Sequence, residues 1–177
     1  MSLIHFETTP LKVGGWTILR LPESASAKLP SRGMTLVEAT INGFRSIIVL
    51  EPDGKGSHWF RIDSGLCEAA GIDADDILTM TVEPSKECPE PEVPADLNRA
   101  LASDLKANAL WTKITPLARW DWLRWIRATS SGETRSRRIK VALSKLRAGE
   151  RRPCCFNRNA CTEPEVSKNG VLLEVTK

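Results

Sequence analysis

Of the 25 Lys and Arg residues in this 177-residue chain, twelve fall between Arg119 and Arg158, against three acids, Asp121, Glu133 and Glu150. Such a stretch, interleaved with Trp122 and Trp125, can neutralise phosphates and stack bases. A nucleic-acid surface would draw on Arg124, Arg137, Lys140, Arg147, Arg151 and Arg152. The plainer reading is a solvated helix face whose tryptophans are core, and charge without a motif favours it. A narrower constellation is Glu133-Thr134-Arg135-Ser136-Arg137-Arg138. Glu133 suits the positive end of a helix dipole and reaches Arg137 at i,i+4. Arg135 and Arg138 share a face, and with Arg127 across the preceding turn they could hold a phosphate or a carboxylate. The same arginines could instead clamp the helix start to its neighbours, which is the preferred account.

Other chemistry is sparse. Cys154-Cys155 and Cys161 lie in a basic tail, with Cys67 and Cys88 elsewhere. Adjacent cysteines do not make the spaced pairs of a zinc site, and His5 and His58 are far away, so no metal and no cofactor are expected. Arg151, Arg152 and Arg158 would lower the pKa of an exposed thiol beside them; burial as small apolar side chains is the simpler role. Gly54-Lys55-Gly56-Ser57 lacks the helix N-terminus of a phosphate loop and reads as a hairpin turn. Asp73-Ala74-Asp75-Asp76 lacks Ca²⁺-loop spacing and reads as a turn. His58, on a strand between Ser57 and Trp59, reads as a half-buried histidine. Nucleotide-loop, nucleophile-elbow and zinc-helix motifs are missing, and the chain is expected not to be an enzyme.

The elements that would carry these residues change character along the chain. Lys12–Leu21 reads as a strand with Trp16, Ile18 or Leu19, and Leu21 inward. Met34–Ile41 and Phe44–Leu50 flank Asn42-Gly43, the strongest short hairpin signal. Ser57–Ile62 and Ile77–Val82 are further strands, and Asp63-Ser64-Gly65 can cap a short helix over 66–70 that Gly71 closes. Pro84, Pro89, Pro91 and Pro94 then forbid a central strand or a helix interior. Beyond them, Leu97, Leu101 and Leu105 lie at helical spacing. Thr115-Pro116 opens a second helix with Leu117, Trp120, Leu123 and Ile126 along one stripe, and Ser131 caps a third that Gly149 stops. Asn169-Gly170 marks a last turn into a strand.

A hydrophobic fraction of 41% and a charged fraction of 27% describe a globular chain and exclude a disordered or collagenous one. The net charge of +3 conceals a split. Residues 1–92 hold 8 Lys+Arg against 14 Asp+Glu, and residues 93–177 hold 17 against 8. Halves of opposite sign indicate two modules, whose charges could also dock on each other. No apolar run approaches a membrane span, no basic n-region opens the chain, and a cytoplasmic location is expected.

Two stretches carry a resemblance. Thr35–Glu83, with Ile41-Asn42-Gly43 and Gly71-Ile72-Asp73-Ala74-Asp75-Asp76, resembles an uncharacterised small β-barrel family of bacteria and archaea, itself similar to the double-split barrels of AbrB/MazE-like transcription factors. Asp75 stands where that family usually has Gly. Val93-Pro94-Ala95-Asp96-Leu97, Trp111, Leu117 and above all Trp125-Ile126 followed by Glu133-Thr134-Arg135-x-Arg137-Arg138-Ile139 look like the helical YdeI/OmpD-associated, or bacteriocin-protection, domain. The resemblance implies a fold and a link to peptide or envelope stress, without an assigned reaction.

The expected architecture is therefore α+β: a small closed, double-split-barrel-like β-barrel over 1–88, a Pro/Glu linker over 89–94, a three-helix module over 95–149, and a cysteine-containing tail with a terminal strand over 150–177. The expected function is a non-enzymatic stress-associated binding protein with Arg127, Arg135 and Arg138 as an anion site. Its partner would be an anionic small molecule or a protein; nucleic-acid binding is the alternative.

Overall fold

The computed structural model describes residues 3–153 and 163–175. They form two compact units, residues 1–89 with 165–177 and residues 90–164.

The first unit is built on strands β1 (Ile4–Thr8), β2 (Leu11–Val13), β3 (Trp16–Arg20), β4 (Thr35–Ile41), β5 (Phe44–Pro52), β6 (His58–Arg61) and β7 (Leu78–Pro84). Two short helices interrupt them, α1 (Glu23–Ser26) and α2 (Ser64–Ala70). All pairings are antiparallel, in the order β1-β7-β4-β5-β6-β3-β2. Asn42 and Gly43 both take positive φ, as the two-residue hairpin between β4 and β5 demands. Asp63 accepts the Leu66 amide at the start of α2, and Gly71 ends it in the left-handed region.

The sheet is open, which corrects the expected closed barrel. β1 and β2 are its two edges. The chain passes between them through Thr9-Pro10 alone, proline has no amide hydrogen to donate, and β2 is three residues long. No ladder joins β1 to β2, and the Thr8 hydroxyl at the end of β1 donates instead to the carbonyl of Arg20, the last residue of β3, at 2.7 Å.

Alternation along the strands builds two cores. Val37, Ala39, Ile41, Leu78, Met80, Val82, Leu19 and Phe60 share one cluster with Ala25 of α1 and Ala70 of α2. The opposite face of β3 and β6 presents Ile18 and Trp59, so both Ile18 and Leu19 are inward, on different faces. That second face is covered by a C-terminal hairpin, β8 (Ser167–Lys168) and β9 (Val171–Leu172), which turns at Asn169-Gly170 and contributes Val166 and Leu172. The Leu172 amide donates to the Asp53 carbonyl at 2.9 Å. A Cβ on Gly54 would lie 2.7 Å from the Gly170 carbonyl oxygen, so the hairpin's seat depends on that glycine.

The second unit holds four helices, α3 (Ala95–Ala102), α4 (Leu105–Lys113), α5 (Pro116–Arg127) and α6 (Gly132–Arg147), where three were expected. The first expected helix breaks at Ser103-Asp104, because the Asp104 carboxylate accepts the Ala107 amide and caps a new helix. Leu105 consequently faces solvent, 82% exposed, and leaves the Leu97–Leu101 stripe. Thr115 and Ser131 cap α5 and α6 as their types suggest. Leu97, Leu101, Trp111, Trp122, Ile126, Ile139 and Leu146 form the core. Among the described residues, no helix is long and apolar enough to cross a membrane.

Candidate functional site

The arginines singled out by sequence are held mainly at helix ends. Arg135, in the first turn of α6, donates from Nε and Nη2 to the two carboxylate oxygens of Asp96 in the first turn of α3, at 2.7 and 3.0 Å. These bonds hold the Asp96 carboxyl below its ordinary pKa and raise that of Arg135. Arg138 donates to the Trp125 carbonyl near the end of α5 at 2.7 Å, with its guanidinium 5.5 Å from the centre of the Trp125 ring. Arg127 Nε lies 2.9 Å from Glu163 Oε2. Each member of the Arg127–Arg135–Arg138 set thus has an acceptor within its own unit. Arg119 shows the same habit: it donates to the carbonyls of Trp111, Thr112 and Ile114 and to both oxygens of Glu90. The last carbonyls of a helix have no intrahelical partner, and these side chains supply donors.

The residues of the nucleic-acid alternative are scattered in their environments. Arg124 is fully buried, with its guanidinium 5.6 Å from the Trp120 ring centre, which removes it from any phosphate-contacting surface. Arg147 pairs with Asp104, and Arg152 lies 3.7 Å from the buried Asp121. The Arg151 carbonyl accepts the Trp122 indole N–H at 2.9 Å. Arg137 and Lys140 are exposed one turn apart on α6 and make no ion pair among the described residues.

The first unit hides polar chemistry that the sequence reading understated. His58 is fully buried, where half-burial was expected. Its Nε2 lies 2.7 Å from the Gly33 carbonyl and its Nδ1 2.6 Å from the Ser26 hydroxyl. A carbonyl only accepts, so Nε2 carries the proton and Ser26 donates to Nδ1. Burial lowers the His58 pKa, as does the Arg32 guanidinium, which also donates to the Ser26 carbonyl; the Gly33 bond and the charges of Asp53 and Glu51 act in the opposite direction. This serine–histidine pair is sealed and saturated. Ser26 and Asp53 are also fully buried, and nothing in their local sequence marks either one.

A pocket of about 360 Å³ opens beside β2, β3 and the loop after α2. Leu11, Cys67, Ile72 and Ala74 give it an apolar wall, Asp73 and Asp75 line it with carboxylates, and Lys12, whose ammonium donates to the Thr17 hydroxyl at 2.7 Å, adds one cation. Asp63, Glu68, Asp73 and Asp75 are all exposed along α2 and its flanks, and Ile77 beside them is 71% exposed. Cys67 and Cys88 form no disulfide among the described residues. Cys154, Cys155, Cys161 and Arg158 lie outside the described residues.

The class these features define is an α+β chain: an open antiparallel sheet unit, then a helical unit fastened by arginines. Comparison with known families divides it in the same order. Residues 4–82 match the family described as "Domain of unknown function (DUF1905)", and residues 90–149 match the one described as "Bacteriocin-protection, YdeI or OmpD-Associated". The chain thus carries a YdeI/OmpD-associated region preceded by a domain of unknown function, the pairing that the Trp125–Ile139 and Thr35–Glu83 stretches resemble. No curated protein matches the chain.

Proposed function

We propose that the protein is a non-enzymatic, cytoplasmic binding protein that protects a bacterium from peptide stress. Its recognition site is the acid-lined pocket beside α2, and its partner is a cationic peptide with an apolar face. The observation that carries this reading is the juxtaposition of two carboxylates, Asp73 and Asp75, with the apolar wall of Leu11, Ile72 and Ala74; they outnumber the one cation of the lining, Lys12, which is held by the Thr17 hydroxyl. An apolar wall supplies affinity, and the carboxylates favour a positively charged partner and speed encounter. The bacteriocin-protection description of the helical region supplies the peptide class. The saturated Ser26–His58 pair supports binding without turnover, since neither side chain has a free valence or a path to solvent.

Fluorescence anisotropy with a labelled Lys/Leu amphipathic peptide tests it, with a Glu/Leu peptide of the same length as control. Binding of the Lys/Leu peptide is expected, at least fivefold weaker for Asp73→Asn combined with Asp75→Asn, and the peptide is recovered intact by mass spectrometry. Equal binding of the Glu/Leu peptide, or an unaffected double variant, overturns the recognition site. Cleaved or modified peptide overturns the non-enzymatic reading. The nucleic-acid reading rests on the exposure of Arg137 and Lys140, and a steep loss of DNA affinity between low and physiological salt would support it.

A further inference from the structure

A second pocket of the first unit, of about 340 Å³, is lined by charges of both signs. We propose that it is a site for a small zwitterion of the aliphatic α-amino-acid class. The inference goes beyond the peptide reading: the two pockets share only Leu11 of their walls, and different probes and variants address them.

Three elements bring the charged groups together. Arg20 ends β3, Glu23 opens α1, and Lys55 lies in the turn between β5 and β6. Leu11 and Pro22 provide apolar wall. The arrangement is fixed from beneath by Asp53, which is fully buried. Its Oδ2 accepts from Arg20 Nε at 2.9 Å and lies 2.8 Å from Arg20 Nη2. Its Oδ1 accepts the backbone amides of Lys55 and Ser57 at 2.7 and 2.9 Å. Burial works to raise the Asp53 pKa; the two amides and Arg20 outweigh it and hold the carboxyl below its usual range. One buried carboxylate therefore sets both the guanidinium of Arg20 and the backbone that carries Lys55, the support a preorganised recognition site requires.

The charges that face solvent remain available. The Arg20 side chain is 37% exposed despite its bond to Asp53. Lys55 Nζ meets Glu174 at 3.1 Å, but the Glu174 side chain is 93% exposed, so the pair is water-facing and weak. A carboxylate from a ligand can replace it. Glu23 makes no ion pair among the described residues, and its Oε1 lies 3.8 Å from where a Cβ of Gly56 would sit. Gly56, at φ +97°, carries no side chain to fill the space beside Glu23. A ligand carboxylate thus has Arg20 and Lys55, a ligand ammonium has Glu23, and a short aliphatic body has Leu11 and Pro22. A monoanion would meet Glu23 unpaired, and a monocation would meet Arg20 and Lys55. The volume, near the lower end of the roughly 300–1,000 Å³ of small-molecule pockets, selects a compact ligand.

The test uses the full chain, labelled with ¹⁵N, and three probes of nearly one shape: L-leucine, 4-methylpentanoate, which lacks the ammonium, and isopentylamine, which lacks the carboxylate. L-Leucine is expected to shift the amide resonances of Leu21, Glu23, Lys55 and Ser57 saturably, and each single-charge analogue to bind at least tenfold more weakly. Glu23→Gln should weaken L-leucine about tenfold and leave 4-methylpentanoate no weaker; Lys55→Gln should weaken both. Glu23 and Lys55 pack against little, and an unchanged far-ultraviolet spectrum verifies that the variants fold. No saturable shift with L-leucine overturns the site. So does 4-methylpentanoate binding as tightly as L-leucine, which would mark a simple anion site, or an unaltered L-leucine affinity in Glu23→Gln.

Discussion

The sheet unit and the helical unit handle charge in opposite ways. In the sheet unit the decisive charged group is an acceptor under a turn: Asp53 gathers the amides of Lys55 and Ser57 and the Arg20 guanidinium. In the helical unit the decisive groups are donors at helix ends: Arg119 takes three carbonyls around the end of α4, and Arg138 takes the Trp125 carbonyl near the end of α5. The difference follows from what each fold leaves unbonded. A tight turn exposes N–H groups, which want a carboxylate; a helix C-terminus exposes C=O groups, which want a cation. The basic bias of the second half is to that extent a consequence of its packing four short helices, each with an end to satisfy.

That contrast can be broken in order of expected effect. Trp122→Ala empties the centre of the helical core and should cost about 4 kcal/mol by chemical denaturation. If the loss is under 1 kcal/mol, the helical unit is held by its arginine clamps and not by its core. Asp53→Ala leaves the Ser57 amide and the Arg20 pair without their acceptor, and a loss of about 3 kcal/mol is expected. A neutral outcome would mean that water replaces the carboxylate. Gly54→Val forces a β-branched residue to φ +73° and against Val171, at about 2 kcal/mol. Its signature is accelerated hydrogen exchange at the Leu172 and Leu173 amides; unchanged protection there would show that the hairpin does not depend on Gly54. Asp96→Asn, at a pair about one-third exposed, should cost only about 1 kcal/mol. The smallest effect is a titration. The native state holds His58 neutral, while the unfolded chain protonates near pH 6.5, so the unfolded state binds more protons below that pH. Stability should therefore fall as pH drops through about 6.5, and the slope should vanish in His58→Gln; a persisting slope would assign it to another group.

The sequence was most legible where a signal is local. Asn42-Gly43, Asp63 with Gly71, Thr115-Pro116, Ser131 and Asn169-Gly170 each act within four or five residues, and each does in the fold what its chemistry suggests. Asp104 was equally local and was overlooked, because the leucine spacing through Leu105 imitated a continuous stripe. Barrel closure depended on whether β1 and β2 pair, a question that neither strand's composition answers. The arginine clamps were half legible. Their charge and position at helix starts could be read, but Asp96 lies 39 residues from Arg135, and no spacing rule connects them. Asp53 was hidden differently: Pro-Asp-Gly is ordinary turn chemistry, and Arg20, which its carboxylate holds, and the returning chain at Leu172, whose amide its carbonyl accepts, both lie far away in sequence.

That return also has a consequence in time. Residues 4–84 leave the ribosome with Ile18 and Trp59 on an uncovered face, and the residues that cover it, Val166 and Leu172, follow only after the whole helical unit has been made. At roughly 5–20 residues per second the interval lasts several seconds. During it the nascent sheet presents two tryptophans, Trp16 and Trp59, to any chaperone or neighbouring chain within reach. The last eleven described residues are thus the step that ends the protein's vulnerability during synthesis, and a ribosome stalled before them would release a sheet with one face bare.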